Sequence, residues 1–447
     1  MNARAPRILL VNPWIHDFAA YDVWAKPLGL LLLAAVLRDH GMAVSFIDCL
    51  DRFHPKAPPQ NPYARHGRGP YHKTRIASPS GFFDIPRNFS RYGIEPEWFR
   101  ADLAAIPAPD LILVTSLMTY WYPGVQETIQ ALRAYFPGVP VILGGIYATL
   151  CTDHAAMHAG ADRVVSGDGI RPIFSWIESF TGYRAGLRFD PEDLDAWPYP
   201  AFDLQRAIGY VPLLTSRGCP FSCAYCASRY LEPRRRVRRP ERVTREIRFW
   251  YDTFGVTDFV FYDDALLVQP ERHIVPILKG VIRSGMAVRF HTPNAVHIRE
   301  INGPLAELML RSGFETLRLG LETTAFESRT TLDRKVDEGQ FLRAVACLLG
   351  AGFEKRRLGA YLLAGLPGQP VADVERSILT VKDSGITPVI AYYTPIPHTP
   401  LWPAAVAASR YDIAADPVFT NNAVFPCMSE GFSWETLSRL KNLARSD

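Results

Sequence analysis

Three cysteines at C-x3-C-x2-C spacing, Cys219, Cys223 and Cys226, stand directly after the apolar stretch from Val211 to Thr215. Three thiolates on one short loop can converge on one metal centre. A closed structural zinc site wants four nitrogen or sulfur ligands, and no further Cys or His follows until His273. An iron-sulfur cluster held by three cysteines, with one iron left open, suits the count better. On the residues alone, zinc or a purely structural cluster stays open as the alternative.

The elements that must position this loop are written in the apolar pattern. A chain of 447 residues, 48% hydrophobic, is long enough for two or three domains with substantial cores. Its net charge of +4 is not the strongly basic balance of a general nucleic-acid binder. Seven cysteines do not form a secreted disulfide framework; Cys49, Cys151, Cys347 and Cys427 are isolated and read as buried thiols. Met1 to Arg7 lacks the layout of a signal peptide, and the longest apolar run, Leu28 to Leu37, is too short to span a bilayer. A cytoplasmic location, away from membranes, follows.

Residues 7–11 are a continuous apolar run of the kind buried in a parallel sheet, followed by a helix over 27–40, a Gly41 stop and a second strand over 43–47. The same grammar returns with strands at 111–115, 139–143 and 163–165 and a helix over 122–136. This predicts an α/β fold that opens with a Rossmann-like, doubly wound domain over residues 1–182, its ligand crevice at the strand carboxyl ends. A Pro-, Gly-, His- and Arg-rich insertion at about 51–109 interrupts it, helical only near 96–106, and reads as a surface loop or a lid over the active site. A proline-rich linker spans 183–209. Six further strands are expected at 211–217, 258–263, 287–292, 316–321, 358–364 and 389–394, with helices such as 241–251, 305–312 and 340–350 between them. Residues 402–447 form a short extension able to close the barrel mouth, with a helix over 433–445 capped by Ser433.

The cysteine spacing, with the aromatic Tyr225 just before the third cysteine, resembles the signature of the radical S-adenosylmethionine (SAM) superfamily. The sixfold repeat suits that family's partial (β/α)6, TIM-like barrel over residues 210–401, with chemistry at the strand carboxyl ends. The resemblance implies a [4Fe-4S] cluster on Cys219, Cys223 and Cys226 whose open iron binds SAM. It further implies reductive cleavage of SAM to methionine and a 5′-deoxyadenosyl radical, and an electron donor such as flavodoxin or ferredoxin. Phe261-Tyr262-Asp263-Asp264 resembles the family's F-x-D-D element, offering Asp263 and Asp264 as catalytic or loop-organising carboxylates. Asn294 falls where the SAM ribose would lie. Glu322 would accept from the SAM ammonium, and Arg318 would pair with the SAM carboxylate or with Glu322. Gly365, Leu366 and Pro367 resemble the adenine-lining G-L-P-G-E element, with Gln369 in place of Glu. His398 replaces Gly in a P-x-P-G-T-P-L-like stretch and is the histidine to test for substrate protonation. The arginine run 234–239 reads as solvated or SAM-anchoring, ahead of an anionic substrate or nucleic acid.

The first domain resembles the cobalamin-binding-type domain that precedes many radical SAM cores. The matching pieces include Ile8 to Pro13, Pro27 to Leu30, Val141 to Gly145 and Gly167-Asp168-Gly169. Asn12, Ser116, Gly144, Gly145 and Gly167 would line a cobalamin. The D-x-H-x-x-G motif that supplies a cobalt-ligating His in cobalamin-dependent mutases is absent, and Trp14, His16 and Tyr120 to Tyr122 bring bulk to the strand ends. With cobalamin, methyl transfer to a small-molecule substrate is the leading reaction. Without it, rearrangement, oxidation or adenosylation would follow; a tRNA-modifying enzyme or a non-enzymatic iron-sulfur protein are the remaining rivals.

Overall fold

The structure, a computed structural model, describes residues 4–327, 332–429 and 431–446. The first three residues of the Met1 to Arg7 stretch therefore lie outside the described residues. The chain forms two compact units, Met1–Gly209 with Ala414–Thr420, and Tyr210–Ile413 with Asn421–Asp447.

In the first unit, five parallel strands form one sheet: β1 (Arg7–Asn12), β2 (Ala43–Asp48), β3 (Leu111–Val114), β4 (Val141–Leu143) and β5 (Arg163–Val164). Their order across the sheet is β2-β1-β3-β4-β5. Alternate residues of β1 feed two separate cores, because successive side chains on a strand point to opposite faces. Leu9 and Val11 pack with Phe99, Leu103, Ile129 and Leu132 on one face. Ile8 and Leu10 pack with Leu30, Leu37, Ile173 and Ile177 on the other. Helices on both faces require a sheet buried on both sides, and that is why the central strands β1, β3 and β4 read as apolar runs.

Residues 183–209, expected as a linker, are part of this unit: Leu187, Phe189, Trp197, Ala201 and Leu204 join the second of these cores. The insertion is also more ordered than its composition suggested. Ser90–Tyr92 pairs antiparallel with both Ile15–Asp17 and Lys73–Arg75, and Pro96–Ala104 is a helix. Arg91 of the central strand bridges Glu95 and Glu127 at 3.0 and 2.9 Å, and His72 meets Glu95 at 2.7 Å. These pairs fix the insertion onto its own unit.

Asp48 closes β2 and accepts from Asn12 Nδ2 at 2.7 Å and the Leu50 N–H at 2.9 Å. Burial pushes its carboxyl up to about 6. A raised folded-state value means that the folded protein binds an extra proton between about pH 4 and 6, so this group's contribution is fully present below that window and is lost as pH rises through it. Asp48→Asn removes the titration. Urea midpoints at pH 5 and pH 8 should show the variant more stable than the wild type at pH 8, by on the order of 1 kcal/mol, with that gain shrinking at pH 5.

The second unit carries six parallel strands: β6 (Val211–Leu213), β7 (Asp258–Phe261), β8 (Arg289–His291), β9 (Phe314–Glu322), β10 (Leu358–Ala364) and β11 (Thr387–Tyr392). They lie side by side in chain order, paired parallel from β6 to β11, and the sheet does not close on itself. This open run is the partial barrel. Between the strands run helices such as Pro240–Phe254, which starts with proline in its first turn, where the missing N–H costs nothing. The helix Trp434–Arg445 is capped by the Ser433 side chain, as expected. Among the described residues, no helix is long and apolar enough to cross a membrane.

Candidate active site

All six strands being parallel, their carboxyl ends share one edge of the second unit, and the loops on that edge hold most of the residues singled out above. The expected strand 211–217 is broken. β6 stops at Leu213, and Ser216–Arg217 turns away to pair antiparallel with Arg236–Val237. The cause is Asp263, just beyond β7. It is buried, and its carboxylate accepts from Thr215 N–H and Oγ1 at 3.2 and 2.7 Å and from Ser216 Oγ at 2.6 Å. His273 Nε2 completes the cluster at 2.8 Å from Thr215 Oγ1. Asp263, expected as catalytic, is therefore a positioning residue, both of its oxygens being used by the segment that leads into the cysteine loop.

Gly218 follows at φ +79°, and a Cβ there would come within 2.6 Å of the Arg234 carbonyl oxygen. Only glycine fits this turn. The three cysteines come next, and the Cys226 sulfur lies 3.2 Å from Ser228 Oγ. The loop is held from two sides: Ala224 N–H donates to Leu332 O at 2.8 Å, and its carbonyl accepts from Leu401 N–H at 2.9 Å. Burial raises the Cys219 thiol and pushes that of Cys223 up to about 11. Of the other thiols, Cys49 and Cys427 are buried, whereas Cys151 and Cys347 are only partly so.

Asp264 differs from its neighbour. Its side chain faces solvent, yet the surrounding walls and the Asp263 charge push its carboxyl up to about 6. Asn294 donates Nδ2 to Tyr262 O at 2.8 Å. Arg318 sends its guanidinium to the main-chain oxygens of Leu317 and Arg357 at 3.1 and 3.4 Å, toward the start of β10 and away from the carboxyl edge. The cation found at Glu322 is Lys335, 3.5 Å from its Oε1, and Lys335 also donates to Tyr225 Oη at 2.7 Å. Burial opposes the ammonium, but Glu322, the Cys223 and Cys226 thiols and Asp333 outweigh it and raise its pKa.

Gln369 folds back under the Gly365-Leu366-Pro367 turn, where its Oε1 accepts from the Gly365 and Leu366 N–H groups at 2.9 and 3.2 Å and its Nε2 donates to Leu363 O at 2.9 Å. A glutamate could accept both N–H bonds but could not donate the third, which gives the Gln a physical reason. His398 sits at φ +65°, in the left-handed region that glycine tolerates best, and stacks on Tyr230 with centroids 4.1 Å apart and planes 2° from parallel. The strain and the ring contact hold its imidazole at the solvent-facing rim.

Residues 213–381 match the family model described as Radical SAM superfamily. They form a radical SAM domain. Among curated proteins, the chain is 24% identical over 327 residues to an uncharacterized methyltransferase of Pyrococcus horikoshii, covering 67% of this chain and 70% of the other. It is 25% identical over 284 residues to the bacteriochlorophyllide d C-12(1)-methyltransferase of Chlorobaculum tepidum, covering 60% of each. Among solved structures, it is similar to the radical SAM methyltransferase TsrM of Kitasatospora setae, solved with cobalamin and a [4Fe-4S] cluster bound. The TM-score is 0.65 at 16% identity over 91% of this chain and 76% of that one. Both units of this chain thus share the fold of that enzyme.

The radical SAM domain implies a [4Fe-4S] cluster and SAM, and the residues present fit them. Three free thiols share one loop at the carboxyl edge, none held in a disulfide, and a buried carboxylate with a neighbouring ammonium stands beside Tyr225 of that loop. Of the arginine run, Arg236 and the nearby Arg217 share Glu232 at 2.9 and 3.0 Å, Arg238 pairs with Glu246 at 2.5 Å, and Arg235 donates to Val268 O. The charges of Arg236 and Arg238 are paired inside the domain. Lys335, Ser216 and His273 were missed by sequence reasoning, because a lone Lys, Ser or His in a polar segment carries no motif.

In the first unit, the strand order reverses between β1 and β3, and Asn12, Ser116, Gly144, Gly145 and Gly167 lie at or just past the carboxyl ends of its strands. That is where open α/β sheets bind ligands. Gly145 adopts φ +98°, and a Cβ there would lie 2.2 Å from Ser116 O. A Cβ on Gly167 would meet nothing, and one on Gly144 only Val165 O at 3.9 Å, so the edge before them is bare. Leu117 and Met118 add exposed apolar surface, 42% and 41% accessible. These features suit the approach of a large flat ligand such as a corrin. The feared crowding resolves by position: Trp14 is buried with its Nε1 donating to Ile94 O, and Tyr122 stacks on Tyr147 and donates to Asp416. His16 is held by Glu127 at 2.6 Å.

Proposed function

We propose that this chain is a cobalamin-dependent radical SAM methyltransferase acting on a small-molecule substrate in the cytoplasm, supplied with electrons by a flavodoxin- or ferredoxin-type donor. The observation that carries this reading is the three-cysteine loop pinned at the carboxyl edge of an open six-stranded parallel sheet, in a chain whose other unit has a bare, glycine-lined crevice. Bound there, the cluster and SAM supply one-electron cleavage of a carbon-sulfur bond, and cobalamin supplies a transferable methyl group.

The chain's own residues do the positioning. Cys219, Cys223 and Cys226 hold the cluster. Glu322 receives the SAM ammonium, the Gly365 to Pro367 turn lines the adenine, and Asn294 sits near the ribose. Asn12, Ser116, Gly144, Gly145 and Gly167 line the cobalamin. Asp264 and His398, both reachable from solvent at the rim, are the groups in reach of a substrate proton, and an Asp264 carboxyl near 6 can hold or release one close to neutral pH. The methyltransferase names of the similar curated proteins support methyl transfer over rearrangement. The arginines paired within the domain speak against an RNA substrate.

The test uses the full chain, purified anaerobically, reconstituted with iron and sulfide and supplied with hydroxocobalamin. A bound corrin spectrum at one per chain, together with 5′-deoxyadenosine or S-adenosylhomocysteine formed from SAM after reduction, is the expected result. A full cluster without any SAM-derived product would sink the enzymatic reading, and SAM cleavage with no retained corrin would leave a radical SAM enzyme that is not cobalamin-dependent.

A further inference from the structure

Lys335 stands where three features of the radical SAM domain meet. Its side chain is only 15% exposed and that of Glu322 9%, so solvent screens their interaction poorly. Its ammonium bonds Tyr225, the residue between Ala224 and the third cysteine, and lies near Glu322 at the end of β9. It lies 5.2 Å from the centre of the Tyr225 ring. Its own backbone N–H is fixed by Asp333 Oδ1 at 3.0 Å, and Leu332, three residues before it, accepts from Ala224 N–H. The segment that carries Lys335 is thus stitched to the cysteine loop by main chain and by side chain.

We propose that Lys335 is a positioning residue that sets the charge balance at the three-cysteine loop, anchoring Tyr225 and Glu322 and making the cluster there easier to reduce. The proposal rests on the reading of the loop as a cluster site. A cluster gains one negative charge when it takes up one electron, so a nearby buried cation favours the reduced form and a nearby carboxylate disfavours it. Glu322 and Asp333 act in the second sense and Lys335 in the first. Removing the ammonium leaves Asp333 near the Cys223 thiol and Glu322 near Tyr225 without that cation between them. Glu322, at φ +65°, a backbone state that a glutamate adopts only under constraint, also loses its side-chain partner.

The test compares the reconstituted full-length protein with Lys335→Met, Lys335→Arg and Glu322→Gln. It measures iron content, the ratio of reduced to oxidised cluster by electron paramagnetic resonance at a fixed solution potential, and SAM affinity by calorimetry. Lys335→Met should keep its iron yet lower the ratio about tenfold, equivalent to about 59 mV for one electron, and weaken SAM binding. Lys335→Arg should stay within about twofold of the wild type, and Glu322→Gln, with one opposing carboxylate fewer, should raise the ratio. An unchanged ratio in Lys335→Met with full iron overturns the proposal. If Lys335→Met does not fold, an unchanged or lowered ratio in Glu322→Gln overturns it instead. A wild-type protein that takes up no cluster defeats the underlying reading, a result distinguishable from either of these.

Discussion

Replacing Cys219, Cys223 and Cys226 together by alanine should bring iron in the anaerobically reconstituted protein to background and abolish SAM cleavage, a loss on the order of a thousandfold or more, equivalent to about 4 kcal/mol of barrier. Each single replacement should do nearly the same. Three cysteines leave no spare ligand, and no other cysteine stands on the loop to take over. The control is Cys347→Ser, which alters a partly buried thiol on the helix Glu338–Gly350 and should leave iron content unchanged. Iron and sulfide analysis with the visible spectrum decides the matter. Full iron retention in the triple variant would mean that the cluster, if any, sits elsewhere.

Asp263→Ala should be the most damaging substitution outside the cysteines. It strips the acceptor from the Thr215 N–H, the Thr215 hydroxyl and the Ser216 hydroxyl, all in a fully buried position. Leaving such donors unpaired costs about 3 kcal/mol or more, and urea denaturation should register it. The same variant should lose iron although no cysteine has changed, because Thr215 and Ser216 set the path of the chain into Gly218 and Cys219. Asp264→Asn, one residue on, should leave stability within about 1 kcal/mol of the wild type, as surface substitutions do, and act on turnover and its pH dependence. Equal destabilisation by the two substitutions would contradict the division of labour between these adjacent aspartates.

That division also marks how far the sequence was legible. Phe261-Tyr262-Asp263-Asp264 announced two carboxylates at a strand end, but which one turns inward depends on Thr215 and Ser216, 48 and 47 positions away in the chain. The buried strands were readable because a parallel strand covered on both faces must be apolar throughout; β1, β3 and β10 fall within a residue or two of their expected bounds. The antiparallel strands at 15–17, 73–75 and 90–92 were not readable. Each is three residues long and mostly polar, with nothing to alternate, and they are held by ion pairs between Arg91, Glu95 and Glu127. Trp14 looked like an obstruction at a strand end because its partner, the Ile94 carbonyl, lies 80 positions further on. Arg318 looked like a SAM ligand by its place in a motif, whereas its guanidinium reaches the main-chain oxygens of Leu317, on its own strand, and of Arg357, just before β10.

The first unit takes its last piece from far down the chain: Asp416 receives the Tyr122 hydroxyl, Thr420 meets Thr119 at 2.9 Å, and the Phe419 and Phe82 rings lie 5.2 Å apart. The polypeptide crosses between units three times, after Gly209, Ile413 and Thr420. During synthesis, therefore, the sheet and helices of the first unit can assemble early, but its packing is finished only after almost the whole radical SAM domain has left the ribosome. A gene fragment ending at residue 209 would yield a unit with an unfilled seam, and the shortest faithful version of it would need residues 414–420 grafted back.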